Sequence, residues 1–335
     1  MAKISKTRKK GYFLGTGAFK VVKYEDSEIK KLLLKKFDQY RDSNASIERL
    51  ELWELNEEES IKLAQEGVIH DTSAFISQGT YKGNFIKKET GDSALTWLIS
   101  INQVSKKLKN HNLRKCLNKQ FPREEIIHSF LPDHRKAKGY LPPGLLSSSD
   151  IELSDQEVDC KGFEKESIVL DFPKEINDGL EICSLVKREV SFINIRCNEL
   201  SFTNLLERIQ NKTSELSFLA MTLDYPDVEY FFNTFESDSK FNLSNLKSKK
   251  IDNLLSKARH SIDRAERAKI YSEINQYLWD EVVTINLSYP RHISYSHKCV
   301  EGLDINVLGE AYIDYRNIEL TRNCENKEHF DNESA

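Results

Sequence analysis

The sequence predicts an α/β fold arranged in two lobes, and three observations favour this class. Apolar strand-like segments alternate with amphipathic helical segments, which is typical of sheets whose faces are covered by helices. The chain has 335 residues, enough for about two domains with separate cores. It is 39% hydrophobic and 30% charged, and it has no apolar run near the ~18 residues that suggest a membrane span.

The first third of the chain predicts mainly strands. The segment GYFLGTGAFKVVKYEDSEIKKLLLKKF, residues 11–37, predicts a hairpin whose two apolar arms are separated by the turn EDSE. Residues 46–55 alternate well enough for a further strand, and a helix is expected over 57–65. Residues 80–92 are polar and contain glycine, and ALTWLISIN after them predicts a compact apolar strand. We expect the chain to cross to the second lobe just after this strand.

The remainder predicts helices and buried strands in alternation. Helices are expected over 112–117 and 123–130, the second opened by Pro122, and YLPPGLLSSS is expected to be a loop. LSFLAMTL is apolar on both faces, as strands inside a parallel sheet are. Asp263 and Glu266 have the spacing of a capping box. Further strands are expected in ESIVLDF, INIRCNEL and TINLSYPRHISYS, and further helices in LEICSLVKREVSF, around 203–210 and in IDRAERAKIYSEINQYLWDEVV.

Composition argues against several functional classes. A net charge of −4 without an aromatic-laced basic patch disfavours nucleic-acid binding. The six cysteines are scattered without a CxxC pair, so we expect reduced, mostly buried thiols rather than a zinc or redox motif. The basic N-terminus has no apolar region behind it, which predicts no export signal. No serine, cysteine or histidine constellation suggests a nucleophile, so an enzyme is not expected.

Other isolated polar residues have simple structural interpretations. His128 and His134 have no spaced partners, so a metal site is not expected there. Lys106, Lys107 and Lys109 are most simply a solvated face.

The main candidate site lies in LAMTLDYPDVEYFF, residues 219–232. If LSFLAMTL is a central parallel strand, Asp224 lies just beyond its carboxyl end, where open α/β sheets bind ligands. Alternatively, Asp224 or Asp227 caps the next helix, with Pro226 in its first turn. Aspartate is a common N-cap, so capping is the more frequent role of such a residue.

The same stretch carries a resemblance to a known family. LDYPDVEYFFNTF resembles the D-Y-P-D-P-D-N-F segment of solute-binding protein family 5, the dipeptide-, oligopeptide- and nickel-binding receptors of ABC importers. Other segments agree in the family's order and extend the resemblance over about residues 11–320. They are LGTGAFKVVKYEDSEIKKLLLKKFDQYR, ASIERLELWELNEEESIKLAQEGVIH, NLRKCLNKQFPREEIIHSFL, YLPPGL and the C-terminal segment from SKKIDNLLSKARH to INVLG.

The resemblance implies a two-lobed, periplasmic-binding-protein-like fold of type II in which the N-terminal part of lobe I is missing. It also implies the division of the chain. The expected parts are a basic segment 1–10, a partial lobe I at 11–102, lobe II at 103–299, a return segment 300–320 and a disordered tail 321–335.

The implied function is that of the solute-binding component of an ABC import system, with a peptide held between the lobes. Asp224 would receive the peptide's α-ammonium and Tyr225 would lie beside it, without a metal or cofactor. The implied partners are a permease and, for the missing part, a separate N-terminal half. The implied location is the periplasm or cell envelope, or the cytoplasm if the first residue is the genuine start.

Several residues depart from the family pattern. Val228 replaces the usual proline and Glu229 the usual aspartate. After ESIVLDF the chain offers Lys174 rather than an arginine to clamp a ligand carboxylate. Two alternatives stay open at this point: the ligand-sensing region of a cytoplasmic transcription regulator, and a remnant that binds no ligand.

Overall fold

The computed structural model describes residues 5–6, 13–42, 45–74, 85–147, 158–176, 178–223, 227–304, 307–308 and 313–321. Two compact units divide the chain: residues 1–91 with 292–335, and residues 92–291. The described strands are β1 (Ser5–Lys6), β2 (Phe13–Leu14), β3 (Phe19–Asp26), β4 (Lys30–Lys36), β5 (Arg49–Glu54), β6 (Asp71–Ala74), β7 (Phe85–Asp92), β8 (Leu95–Ile101), β9 (His134–Lys136), β10 (Ser167–Pro173), β11 (Asn194–Leu200), β12 (Leu216–Thr222), β13 (Thr284–His297), β14 (Val300–Glu301) and β15 (Glu319–Leu320). The described helices are α1 (Glu57–Gln65), α2 (His111–Gln120), α3 (Arg123–Phe130), α4 (Gly179–Glu189), α5 (Phe202–Gln210), α6 (Val228–Phe232), α7 (Lys249–His260) and α8 (Arg264–Asp280).

The unit of residues 92–291 is built on a mixed sheet in the order β11-β10-β12-β8-β13. Helix α4 connects β10 to its parallel neighbour β11, and α5 leads from β11 back to β12, which is parallel to β10. On the other side of β12, β8 runs antiparallel to both β12 and β13. The prediction that β12 lies inside a parallel sheet is confirmed on the side of β10 and wrong on the side of β8. An apolar pattern indicates that both faces of a strand are covered, but it does not indicate the direction of the neighbouring strands.

The core of this unit lies between the sheet and its helices. β8 and the start of β12 are almost continuously buried, and α4 turns an apolar side toward them through residues such as Ile182 and Val186. Each fully buried aliphatic side chain contributes about 1.5–3 kcal/mol relative to an exposed one. The strands in ALTWLISIN, ESIVLDF and INIRCNEL and the helix over 123–130 are confirmed.

Two disulfides cross-link this unit. Cys116 on α2 bonds Cys160, and Cys183 on α4 bonds Cys197 on β11. In the other unit Cys299 is also disulfide-bonded. The expectation of reduced thiols is therefore wrong. Cysteines that are 14 and 44 positions apart in the chain become neighbours only in the folded structure, so their spacing along the sequence did not reveal the pairing.

The unit of residues 1–91 and 292–335 contains the predicted hairpin. β3 and β4 pair in antiparallel register, and β5 joins them to complete a three-stranded sheet. Helix α1, capped by Asn56 in a complete capping box, leads from β5 to β6. β6 pairs with the last part of β13. Gly302 is required next to β14: its φ is +72°, and a Cβ there would lie 1.9 Å from the carbonyl oxygen of Asn317.

Some sequence-based expectations differ in detail. Asp263 caps α8 by accepting a hydrogen bond from Ala265 N–H, whereas the Glu266 carboxylate accepts one from Ser261 Oγ, so the predicted capping box is incomplete. The polar stretch 80–92 contains β7. β8 belongs to the unit of residues 92–291, whereas the expected boundary after residue 102 assigns it to lobe I. The expected disordered tail 321–335 lies outside the described residues except for Thr321, whose N–H donates to the carbonyl oxygen of Cys299 at 2.9 Å. Among the described helices, none has the length and apolar composition that a membrane span needs.

Candidate functional site

The two residues predicted to bind ligand, Asp224 and Tyr225, lie outside the described residues, in the short segment between β12 and α6. Both ends of that segment are held by hydrogen bonds. Leu223 N–H donates to the carbonyl oxygen of Ala94 at 3.2 Å, and Asp227 begins the next helix. β10, β11 and β12 are parallel, so their carboxyl ends meet at one edge of the sheet. The segment follows the strand β12 at that edge.

Asp227 is the residue that caps α6. Its Oδ1 accepts a hydrogen bond from Glu229 N–H at 2.9 Å, and its Oδ2 lies 3.5 Å from Nη2 of Arg267. Arg267 Nη2 also donates to the hydroxyl of Tyr271 at 3.2 Å. The capping role that the sequence left open between two aspartates is therefore filled by Asp227 within the described part of the chain.

Glu229, which departs from the family pattern, is held in an ion-pair cluster. Arg259 Nε lies 2.5 Å from the Glu229 carboxylate, and Arg259 Nη1 lies 2.7 Å from that of Glu236. These hydrogen bonds and charges raise the pKa of Arg259, the contribution of Glu236 being the larger. The charge of Glu229 is thus balanced by Arg259, and both side chains are partly exposed.

A buried aromatic cluster fixes α6 and the 3₁₀ turn Asn233–Phe235 in place. The Tyr140 ring lies 4.6 Å from that of Phe235 and 5.6 Å from that of Phe231, centroid to centroid, and Phe232 packs on the same ring. The Tyr140 hydroxyl and Thr234 Oγ1 form a hydrogen bond of 3.0 Å. Burial raises the pKa of Tyr140. A five-residue helix is too short to be stable alone, so its position depends on this cluster.

Lys174 lies at the same sheet edge, directly after β10. Its backbone N–H donates to the carbonyl oxygen of Leu200 at 2.7 Å, and its side chain is exposed. The structure therefore places one exposed cation next to the carboxyl end of β10.

The two histidines considered as metal ligands, His128 and His134, differ in environment. His134 Nδ1 is 2.9 Å from Ser288 Oγ, and the ring packs edge-on against Trp97. Burial lowers the pKa of His134 to about 4, whereas His128 is exposed on α3. Among the described residues, no three histidine, cysteine or acidic side chains come together as a metal site would require.

Lys107 does not belong to a solvated face, contrary to expectation. Its ammonium lies 2.9 Å from the Glu215 carboxylate and donates to the carbonyl oxygen of Ser167. Lys107 therefore connects the loop after β8 to the starts of β10 and β12. The sequence pattern of three nearby lysines did not indicate these long-range contacts.

A buried polar cluster around Asp171 was missed by sequence reasoning. This carboxylate is fully buried in the middle of β10 and accepts hydrogen bonds from Asn198 Nδ2 at 2.5 Å, Arg208 Nε at 3.1 Å and Ser214 Oγ. The available signal was the aspartate itself, because a charge inside an otherwise apolar strand needs internal partners. Its partners lie on β11, on α5 and in the loop before β12, so its role is to hold these elements against β10.

Comparison with known proteins yields a family match over most of the chain. A family model described as "Bacterial extracellular solute-binding proteins, family 5 Middle" matches residues 2–242. The nickel-binding protein NikA of Staphylococcus aureus is 19% identical over 324 residues, which are 90% of this chain and 65% of that protein.

Solved structures share the fold. The ABC transporter substrate-binding protein CtaP of Listeria monocytogenes aligns with a TM-score of 0.77 at 19% identity, over 91% of this chain and 67% of CtaP. The periplasmic binding protein DppA of Helicobacter pylori, solved with the peptide STSA, aligns with a TM-score of 0.70 at 18% identity, over 91% of this chain and 63% of DppA. The chain thus spans about two thirds of the length of these relatives, and it shares the type II fold of periplasmic solute-binding proteins.

Proposed function

Because this chain belongs to family 5 of the bacterial extracellular solute-binding proteins, we propose that it binds a short peptide as the solute-binding component of an ABC import system. Asp224 is the counter-ion of the peptide's α-ammonium group in this proposal, and Tyr225 packs beside the bound residue. The permease of the import system is the proposed partner.

The supporting observation is that the neighbouring acids are already engaged. Asp227 caps α6 and faces Arg267, and Glu229 is paired with Arg259. Asp224 is the first acid in the sequence after β12, whose first four residues are buried, and open α/β sheets bind ligands beyond the carboxyl ends of their parallel strands. We therefore assign the ligand-binding carboxylate to Asp224 rather than to Asp227 or Glu229.

A carboxylate suits this role on energetic grounds. An ammonium group removed from water needs an opposite charge, and leaving one member of a buried ion pair alone costs about 3–5 kcal/mol. A ligand with a free N-terminus is therefore favoured over one whose N-terminus is blocked. Lys174, which is exposed at the same edge, adds a positive charge. It does not form the bidentate hydrogen bonds to a carboxylate that an arginine forms.

The disulfides support a location outside the cytoplasm. Disulfides persist in oxidising compartments such as the periplasm and the cell exterior and are rare in the cytosol. Two of them lie in the unit that contains β12. Reduced cysteines would favour the alternative of a cytoplasmic sensor, and these disulfides do not. We therefore place the protein in the periplasm or cell envelope.

The test is thermal stabilisation of the purified chain by peptides of two to six residues, each compared with its N-acetylated form. A ligand at a hundredfold excess over Kd stabilises the folded state by about 2.7 kcal/mol. We expect stabilisation by peptides with a free ammonium group, none by the acetylated forms, and loss of the effect in Asp224→Asn.

Asp227→Asn is the matched control. Asparagine caps helices about as well as aspartate, so this variant removes a nearby charge while keeping α6, and we expect it to retain the peptide effect. Absence of stabilisation by every peptide, or an unchanged effect in Asp224→Asn, would contradict the proposal.

A further inference from the structure

The three-stranded sheet β3-β4-β5 has two faces that differ in charge. Side chains alternate between the faces along a strand, and residues directly opposite each other in an antiparallel pair have their side chains on the same face. The register therefore assigns one set of side chains to what we call the basic face. Its members are Lys20, Lys23, Glu25, Lys31, Leu33, Lys35, Arg49, Glu51 and Trp53. Five cations and two acids give this face a net charge of +3.

On the opposite face of the sheet, the lysines of β4 have acidic partners. Lys30 lies directly opposite Glu54, and its ammonium is 3.1 Å from the Glu54 carboxylate. The ammonium of Lys36 is 3.2 Å from the Glu48 carboxylate. Cross-strand pairs of opposite charge stabilise a sheet. The charges of these two lysines are therefore balanced within the sheet.

Three cations of the basic face form one row across the three strands. Lys35 on β4 lies directly opposite Lys20 on β3 and directly opposite Arg49 on β5. Like charges directly opposite each other destabilise a sheet. All three side chains are exposed, and among the described residues no carboxylate lies within ion-pairing distance of Lys20 or Lys35. The row therefore keeps a repulsion between cations that the sheet itself does not relieve.

Trp53 lies among these cations. The ammonium of Lys31 is 3.5 Å from the centroid of the Trp53 ring, and Trp53 Nε1 donates to the Glu51 carboxylate at 3.0 Å. Tryptophan is enriched where proteins meet the headgroup region of a bilayer, because its ring is apolar and its N–H is polar. Trp53 is half-buried, so part of its surface is open to such a contact.

Positive charge is concentrated in this part of the chain. Two acids offset part of the charge of the basic face, since Glu25 lies 2.7 Å from Lys23 and Glu51 lies 3.8 Å from Arg49. Residues 1–42 nevertheless contain 12 Lys and Arg against 5 Asp and Glu, a net charge of +7 in a chain whose total is −4. The remaining residues therefore carry a net charge of −11. The sequence showed no basic patch with an aromatic residue because its members lie on three strands and alternate with side chains of the opposite face.

We propose that the basic face docks on the anionic headgroup surface of a phospholipid bilayer, with Trp53 at the level of the headgroups. An anionic leaflet attracts each nearby Lys or Arg, and its phosphate groups neutralise the row of like charges. Lys and Arg are almost never buried unless paired, so a core contact with further polypeptide does not suit this face. The net negative charge of the other residues is repelled by the leaflet, which orients the basic face toward it. Docking of this face uses the location proposed above and is independent of peptide binding at Asp224.

The experiment is co-sedimentation of the purified full chain with phospholipid vesicles. Vesicles of phosphatidylcholine have no net charge, and vesicles of equal parts phosphatidylcholine and phosphatidylglycerol are anionic. At low salt we expect binding to the anionic vesicles and none to the neutral ones. This binding should weaken as the ionic strength is raised to about 0.15 M, where the Debye length is about 8 Å.

Two double variants that change the net charge equally separate the basic face from total charge. Lys20→Gln with Lys35→Gln removes two cations of the row, and we expect weaker vesicle binding by about fivefold for each cation. Lys30→Gln with Lys36→Gln removes two lysines of the opposite face, and we expect a change of less than about threefold because these lysines do not face the bilayer. An unfolding midpoint close to that of the parent shows that each double variant is folded.

Several results would overturn the proposal. These are equal binding to neutral and anionic vesicles, binding to neither, and equal weakening by the two double variants. A short DNA duplex and inorganic phosphate serve as competitors at matched ionic strength. Binding of the duplex without binding to anionic vesicles would mean that the basic face contacts nucleic acid instead. Displacement from vesicles by phosphate but not by chloride would mean that the face binds the free ion rather than a bilayer surface.

Discussion

Acidification should destabilise the unit of residues 92–291 because His134 is held neutral in the folded state. The ring centroid lies 5.2 Å from that of Trp97, and Nδ1 lies 2.9 Å from Ser288 Oγ. Burial lowers the pKa of His134 from 6.5 to about 4. The perturbation is a change from pH 7 to pH 5, which protonates this histidine in the unfolded chain and leaves it neutral in the folded one.

The sign and size follow from linkage. Between the folded pKa of about 4 and an unfolded pKa of ~6.5, the unfolded state binds more protons, so stability is present above pH 6.5 and is lost as the pH falls. With these values the step from pH 7 to pH 5 lowers the free energy of unfolding by ~2 kcal/mol. This is an upper figure, because the ring is partly exposed and solvent screens its charge.

Urea unfolding at the two pH values measures this effect. In a Trp53→Phe background, the remaining tryptophans, Trp97 and Trp279, both report on residues 92–291. His134→Gln keeps a hydrogen-bonding group near Ser288 but does not titrate in this range. We expect the loss of stability between pH 7 and pH 5 to be ~1–2 kcal/mol smaller in the variant. A loss of equal size in both proteins would refute the reasoning.

Two further predictions concern the same unit. Replacing Cys183 and Cys197 together by serine removes a cross-link between residues 14 positions apart and should lower the free energy of unfolding by about 3 kcal/mol. Chemical denaturation of parent and variant without reductant measures this loss. A loss below about 1 kcal/mol would contradict the expectation. Arg123, 9% exposed, donates to the carbonyl oxygens of Asn118 at 2.6 Å and Asn286 at 2.7 Å. Arg123→Met should lower the free energy of unfolding by about 3 kcal/mol because these carbonyls lose their donor. Arg123→Lys, which keeps a donor, should lose less. Equal urea midpoints for the Met variant and the parent would contradict this prediction.

Local patterns predicted most elements well. The helix over 57–65 and the hairpin before it were predictable because each is formed by residues close in sequence, through capping, alternation and turn chemistry. β7 was not predictable in the same way. Its segment, FIKKETGD, contains charges and a glycine, and its pairing with β13 comes from a distant part of the chain.

The candidate site was predictable in part. The pattern of an apolar strand followed by Asp-Tyr-Pro-Asp indicated both a ligand-binding carboxylate and a helix cap. It could not show which of the two aspartates has which role. Asp227 is identified as the cap by its hydrogen bond to Glu229 N–H and by Arg267, forty residues further along the chain. The assignment of Asp224 and Tyr225 to the ligand stays a prediction.

By itself the sequence determined the family, the class of fold, most of the strands and helices, and the two residues proposed to bind the ligand, because all of these are recorded in short ordered motifs and in hydrophobic periodicity. Tertiary structure decided the direction of the neighbours of β12, the disulfides, and the partners of Asp171 and Lys107. Each of these depends on contacts between residues far apart in the chain, and local patterning carries no information about which distant segment arrives as the partner.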